Sequence, residues 1–412
     1  MSHPHPARAR AGDTGMGQVE FVALMAMLVA TVAFSTDAML PALPGIGAEL
    51  TPEAVNRAQL IVGAFILGLG GGTFVVGPLS DSFGRKSTLL GGAALYVAGS
   101  LLALLAPSLG LMLAARVLQG LGAAAARIVA MAIIRDLYAG RQMAQLVSLV
   151  MLVFTLVPAI APLAGSGIIA LFGWRGIFGA FVLFAAATSL WMALRLSEPL
   201  PPERRRPFRP RALWAALREV LARPMVRLSI AVQTLCYTTL FASLVSIQPI
   251  FDKSFGLSIQ FPCWFAAIAL VAGTGSFVNA ALVIRLGMRR MVRLALGAQL
   301  ALSGAVLAMF LVGLPPGAAF AIYLIWQTSV FFQAGLTLGN LNALAMEPLG
   351  HIAGMGASIT SGLATVGSVL LSAPLGLAFD GTPVPLLAGV LAAVAAGLWL
   401  MRHLDRAAER PG

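Results

Sequence analysis

The sequence predicts an all-α polytopic membrane protein, with twelve transmembrane helices in two six-helix bundles. Three observations predict it. Of 412 residues, 59% are hydrophobic and only 10% charged, against roughly 25% charged in soluble domains. Apolar runs of about 20 residues, the length that crosses a bilayer, recur between short charged or Pro/Gly turns. A Pro/Arg-rich stretch at 197–227 interrupts those runs midway.

Taken in order, the chain opens on a polar tail, 1–18, with His3, His5, Arg8 and Arg10. The apolar stretch from Val19 to Ile46 is too long for a signal-peptide core and lacks a cleavage pattern, so it is read as a retained first span. Apolar runs bounded by charge or by Pro/Gly turns place spans at 19–42, 56–77, 87–106, 109–134, 143–171 and 176–196. After the linker they fall at 228–250, 261–284, 292–313, 317–343, 353–379 and 384–401. The expected organisation is a tail (1–18), a bundle (19–196), a basic linker (197–227), a second bundle (228–401) and a tail (402–412).

The net charge of +12 does not mark a nucleic-acid binder, because the arginines lie between apolar runs rather than on one face of a soluble module. Of the 27 Lys and Arg, three (Arg57, Arg175, Lys253) fall on one side of the spans, two (Arg116, Arg127) within them, and all the rest on the other side. The positive-inside rule makes that basic side cytoplasmic, with both termini inside. Basic turns follow the second span of each half, GPLSDSFGRK (Gly77 to Lys86) and IRLGMRRMVR (Ile284 to Arg293), as parallel repeats would.

The two cysteines, Cys236 and Cys263, make neither a disulfide framework nor a metal-ligand spacing. The two lysines, Lys86 and Lys253, complete no Walker-A pattern, and no H-E-x-x-H or G-x-S-x-G occurs. No cofactor or metal is therefore expected, an integral-membrane enzyme lacks its constellation, and any solute movement must draw on a gradient.

Asp37 lies within the first span, where an acid costs about 3 kcal/mol on insertion scales. Burial disfavours its charge and a nearby Arg would favour it, a balance that suits proton exchange. Arg116 and Arg127, eleven residues apart on the fourth span, differ by only about 20° in azimuth, so both are expected on an interior or wet face. Depth separates them: Arg116 shares the outer half with Asp37 and is its expected partner, while Arg127 lies nearer the basic side, placed either to meet an anionic or carbonyl-bearing substrate or to reach the interface. Pro158 and Pro162 share one face of the fifth span and should bend it, with Gly165 following. Gly68, Gly70, Gly71 and Gly72 read as close helix packing. In the second half Gln233, Tyr237 and Asn340 are among several uncharged polar residues that can face a cavity or bond helix to helix.

At this point the chain resembles the major facilitator superfamily, and within it the drug:proton antiporters of the bicyclomycin-resistance (Bcr/CflA) type. STDAMLPALP (Ser35 to Pro44), GPLSDSFGRK, RVLQGLGAAAARIVAMAIIRD (Arg116 to Asp136), VPAIAPLAG (Val157 to Gly165) and NALAMEPLGHIAGMGAS (Asn342 to Ser358) carry the resemblance. It implies the major facilitator fold, with proton coupling at Asp37 and Arg116. It also implies a gating latch of Gly77, Asp81, Gly84, Arg85 and Lys86, with Arg85 meeting Asp136 and Asp81 capping the eleventh span. Ser82 stands where the family usually has Arg, so one ion pair of that latch is missing. Pro158, Pro162 and Gly165 correspond to the antiporter kink; the residues themselves, not the resemblance, make Arg127, Gln119, Gln233, Tyr237 and Asn340 the candidates for the cavity. The implied function is export of small amphiphilic or apolar compounds, neutral to anionic, in exchange for protons by a monomer in the inner membrane. Import or export of a nutrient or metabolite on the same fold is the alternative.

Overall fold

In the computed structural model, which describes residues 16–409, every regular element among the described residues is helical. Most of the expected N-terminal tail, including His3, His5, Arg8 and Arg10, and residues 410–412 of the C-terminal one therefore lie outside the described residues. The chain runs through α1 (Gln18–Asp37), a 3₁₀ turn (Leu40–Ala42), α2 (Leu43–Leu50), α3 (Leu60–Phe83), α4 (Arg85–Leu104), α5 (Leu109–Leu137) and α6 (Gly140–Arg195). It continues through α7 (Pro210–Ala222), α8 (Pro224–Pro249), α9 (Phe261–Leu286), α10 (Met288–Val312), α11 (Pro316–Met346), α12 (Ala353–Leu377) and α13 (Val384–Glu409).

Ten helical stretches among the described residues are long and apolar enough to cross a membrane. One of them is the 56-residue α6, which at 1.5 Å per residue runs about 84 Å, more than twice a bilayer's ~30 Å core. Its helical geometry breaks at Gly173, whose φ of +66° suits a residue without a side chain. The break falls between the runs 143–171 and 176–196.

Helices α1, α3, α4, α5 and α6 pack among themselves, as do α8 to α13. Two seams join these groups, α3 along α12 and α6 along α9. Small residues set how close helices come. A side chain on Gly68 would meet the Val117 carbonyl oxygen at 2.1 Å, and one on Gly120 the Phe65 carbonyl oxygen at 2.0 Å, so α3 and α5 touch backbone to backbone. Gly71, by contrast, has only a leucine methyl at 3.7 Å. The most enclosed helices are α1, α5 and α8, whereas α4, α6, α9 and α10 carry outward Leu, Phe and Ile, as lipid contact requires.

The stretch 197–227 is more than a linker. Ala216 and Val220 of α7 pack with Val226, Ile230, Ala345, Leu349 and Ile359 in a small core of their own, and α7 lies against α8 and α12. The run ALWAALREVL (Ala212 to Leu221) has helical spacing, but the surrounding prolines and arginines mask it. Span ends also move: the first helical stretch reaches Leu50, α3 runs on to Phe83, α8 starts at Pro224 and α13 runs to Glu409.

Candidate functional site

A cavity of about 670 Å³ opens on the face that carries the basic linker. Its walls come from both helix groups: α3 and α5 on one side, α8, α11 and the start of α12 on the other. At the opposite face the α3/α12 seam is shut. Asn56 Nδ2 donates to the Phe379 carbonyl oxygen at 2.5 Å, and Gln59 fills the space a side chain on Gly376 would need. The seam stays closed as far as Phe74 against Gly362 and then parts around the cavity.

Of the residues expected in the cavity, Arg127, Gln233 and Tyr237 line it. Two do not. Gln119 is fully buried inside the first helix group, where it accepts from Arg116 and donates to Ser100 Oγ at 2.7 Å. Asn340 donates to Asn279 Oδ1 at 2.7 Å and to the Leu336 carbonyl oxygen at 2.8 Å, joining α11 to α9; Asn342 lines the cavity in its stead. In both cases a helix-to-helix partner lay closer than the lumen, and spacing along one helix does not reveal it. Arg135, Arg206 and His351 also line the cavity. Their sequence context, at span ends and in the linker, marked them only as flanking charge.

Arg116 is 0% exposed yet forms no ion pair among the described residues. Its Nη2 donates to the Ser35 carbonyl oxygen at 3.0 Å, its Nε to that of Ile61 at 3.3 Å, and its Nη1 to Gln119. The guanidinium stands 4.5 Å over the Phe65 ring, a cation–π contact that dehydration strengthens. Around it, the Ser35 and Tyr96 hydroxyls lie 2.5 Å apart and Ser100 Oγ donates to the Tyr96 carbonyl oxygen.

Asp37 ends α1 and is 5% exposed. Counting residues from the basic-face ends of α1 and α5 places both Asp37 and Arg116 at about 30 Å, and Arg127 at about 15 Å. The expected depths hold, but the expected Asp37–Arg116 ion pair is not formed in this conformation. Backbone carbonyls and Gln119 saturate the guanidinium first, because they are fixed where helices cross. The end of α1 abuts α6 instead: a side chain on Gly165 would meet the carbonyl oxygen of Ala38, the residue after Asp37, at 2.1 Å. Pro158 and Pro162 lie in the same stretch of α6.

The latch is built around Arg85, only 4% exposed. Its Nη1 donates to Asp81 Oδ1 and Ser80 Oγ, both at 2.6 Å, and its Nε to Asp136 Oδ2 at 2.7 Å. Gly84, with φ of +99°, makes the turn from α3 into α4. Asp81 pairs with Arg85 and does not cap α12, since the cavity mouth separates them. A carboxylate does occupy a helix N-terminus, where it is electrostatically favoured, but the helix is α4 and the acid is Glu198. It accepts from the backbone N–H of Arg85 at 2.8 Å and of Lys86 at 3.0 Å. Lys86 Nζ donates to the Ala193 carbonyl oxygen.

Below the cavity, His351 Nε2 lies 2.7 Å from Glu219 Oε1 on α7, and Arg223 bonds both Glu219 and the Pro348 carbonyl oxygen. Desolvation pushes the Glu219 carboxyl up, but His351 and Arg223 outweigh it and hold the group below the usual carboxylate range. No cluster of three or more His, Cys, Asp or Glu among the described residues could hold a metal.

A cavity between two helix groups, shut on one face and open on the other, is transporter architecture. Residues 25–372 match the Major Facilitator Superfamily. The chain belongs to that superfamily. The resemblance read from its motifs is thereby borne out, and the chain is a multi-pass membrane transporter of small molecules, not an enzyme. Relatives of this major facilitator chain include an MFS-type transporter of Bacillus subtilis (strain 168) named YdgK and described as uncharacterized, 28% identical and covering 97% of this chain and 98% of its own length. A chloramphenicol resistance protein of Pseudomonas aeruginosa is 29% identical, over 81% of this chain and 78% of that protein. A bicyclomycin resistance protein homolog of Haemophilus influenzae is 28% identical, over 68% and 70%. Among solved structures, a D-xylose-proton symporter superposes with a TM-score of 0.73 at 14% identity, covering 93% of this chain and 96% of that one, which is a likeness of fold.

Proposed function

We propose that this chain exports small amphiphilic or apolar compounds, neutral to anionic, from the cytoplasm in exchange for protons. It works as a monomer in the inner membrane, with twelve crossings: α6 crosses twice around Gly173, and α11 and α12 cross separately. The positive-inside bias supports a cytoplasmic basic face, so the cavity is open inward and the 19–196 and 228–401 bundles rock about it. The drug-resistance relatives support efflux.

Proton coupling rests on one observation, a buried acid, Asp37, that has no counter-ion among the described residues and lies level with an arginine held only by neutral groups. An unpaired carboxylate is costly in a dry interior, so this inward-open arrangement suits the protonated acid. Loss of the proton creates a charge that attracts Arg116 away from the Ser35 carbonyl. Because Ala38 rests against Gly165, any shift at the end of α1 is passed to the proline-bearing part of α6, which forms one seam between the halves. Protonation from outside then drives return to the inward-open state, and deprotonation with substrate bound favours export.

The test is Asp37→Asn in inverted vesicles. Acid-interior vesicles with the native chain accumulate substrate; the variant, folded and inserted in equal amount, should lose gradient-driven accumulation. Unchanged accumulation with a normal response to the pH gradient overturns the assignment.

A further inference from the structure

Resting on the export reading, the cavity chemistry narrows the substrate. Its lining includes four guanidiniums (Arg85, Arg127, Arg135 and Arg206) against one carboxylate, Asp81, and Asp81 is already paired with Arg85. Arg135 and Arg206 lie at the mouth. Arg127 is deeper, and its guanidinium makes no hydrogen bond or ion pair among the described residues. Counted along their helices from the basic face, Arg127 on α5 and Gln233 on α8 both lie about 14–15 Å in, on opposite walls.

Gln233 supplies the second observation. It is 2% exposed, and its Oε1 is buried without any hydrogen-bond partner while the residue lines the cavity. A buried acceptor left unsatisfied is unfavourable; a turn of the terminal amide brings it to the lumen, where a donor on a bound molecule satisfies it. One turn further in, Tyr237 lines the same wall and stacks on Phe241 at 5.4 Å with planes 8° apart, presenting a flat aromatic surface.

We infer that the preferred substrate is an aromatic or similarly flat amphiphile bearing one anionic group, held by Arg127, and one hydroxyl or N–H donor, held by Gln233 Oε1. Export of such an anion against one proton moves two charges per cycle instead of the one moved with a neutral compound. Membrane potential thus adds more to the driving force for the anion.

Equilibrium binding to the purified full chain in uncharged detergent tests this with three probes: 6-hydroxy-2-naphthoate, its neutral amide, and 2-naphthoate, which lacks the hydroxyl. The hydroxy acid should bind about tenfold or more tighter than the amide, the scale of one charge-assisted hydrogen bond. Arg127→Gln should erase that preference, weakening the acid far more than the amide, and Arg127→Lys should retain part of it. Gln233→Leu should erase the preference for the hydroxy acid over 2-naphthoate, with the anion preference kept. Equal affinity for acid and amide, or an anion preference that survives Arg127→Gln in a variant that melts like the native chain, overturns the inference. So does Arg127-dependent displacement of the acid by phosphatidylglycerol, which assigns the site to a lipid headgroup. Binding needs no gradient, so these outcomes are independent of Asp37→Asn: loss of anion preference beside intact proton-driven efflux sinks only this inference, and the reverse sinks only the coupling.

Discussion

Arg116 and Gln119 illustrate how polar residues survive inside a membrane bundle. The guanidinium has no counter-charge among the described residues, so its charge is tolerated by carbonyl oxygens of two other helices, an amide and an aromatic face. Gln119 is the hinge of that set because it serves Arg116 with its oxygen and Ser100 with its nitrogen. Gln119→Leu should leave two buried donors and acceptors unmatched and destabilise the protein by about 1–3 kcal/mol, read as a lower melting temperature in detergent. A variant that melts like the native chain would mean that water reaches the cluster. That Arg116 is interior was legible from its type and position within a span. Its partners were not, because three of its contacts come from residues 35, 61 and 65, whose proximity only folding creates.

At the scale of elements, glycine placement decides which helices meet. Gly68 and Gly71 look equivalent in sequence, yet only Gly68 faces backbone at contact distance. Gly68→Ala should therefore force α3 from α5 and cost about 1–3 kcal/mol as overpacking, whereas Gly71→Ala should stay within about 0.5 kcal/mol of the native chain. Thermal melting of the two variants side by side checks this, and equal effects would contradict the packing. The helical spans themselves were readable because hydrophobic run length is set by bilayer thickness. The α7 helix was not read, since its apolar face amounts to a few residues amid arginines and prolines and gains its stability from docking on α8 and α12.

For the whole molecule, the closed α3/α12 seam on one face and the open cavity on the other define one state of an alternating cycle. If that state suits protonated Asp37, then Asp37→Asn, which mimics the neutral acid, should hold it. Spin labels at Ser82 and Ala353, across the mouth, should report one long distance in the variant. The native chain should show an added shorter-distance population that grows at alkaline pH, when Asp37 loses its proton. A variant that populates the short distance as readily as the native chain would uncouple the acid from the motion.

The sequence by itself determined the class, the run of spans, the basic asymmetry and the residues whose chemistry is out of place in lipid, because each of these follows from local hydrophobicity and charge. Only the tertiary structure decided that Asp37 has no ion-pair partner among the described residues, that Ala38 rests against Gly165, that Arg116 is satisfied by carbonyls and Gln119, that Glu198 caps α4, and that Arg127 and Gln233 face one lumen. Those outcomes depend on which neighbour is nearest once helices distant in sequence are packed, and a side chain bonds to the partner that packing brings within about 3 Å.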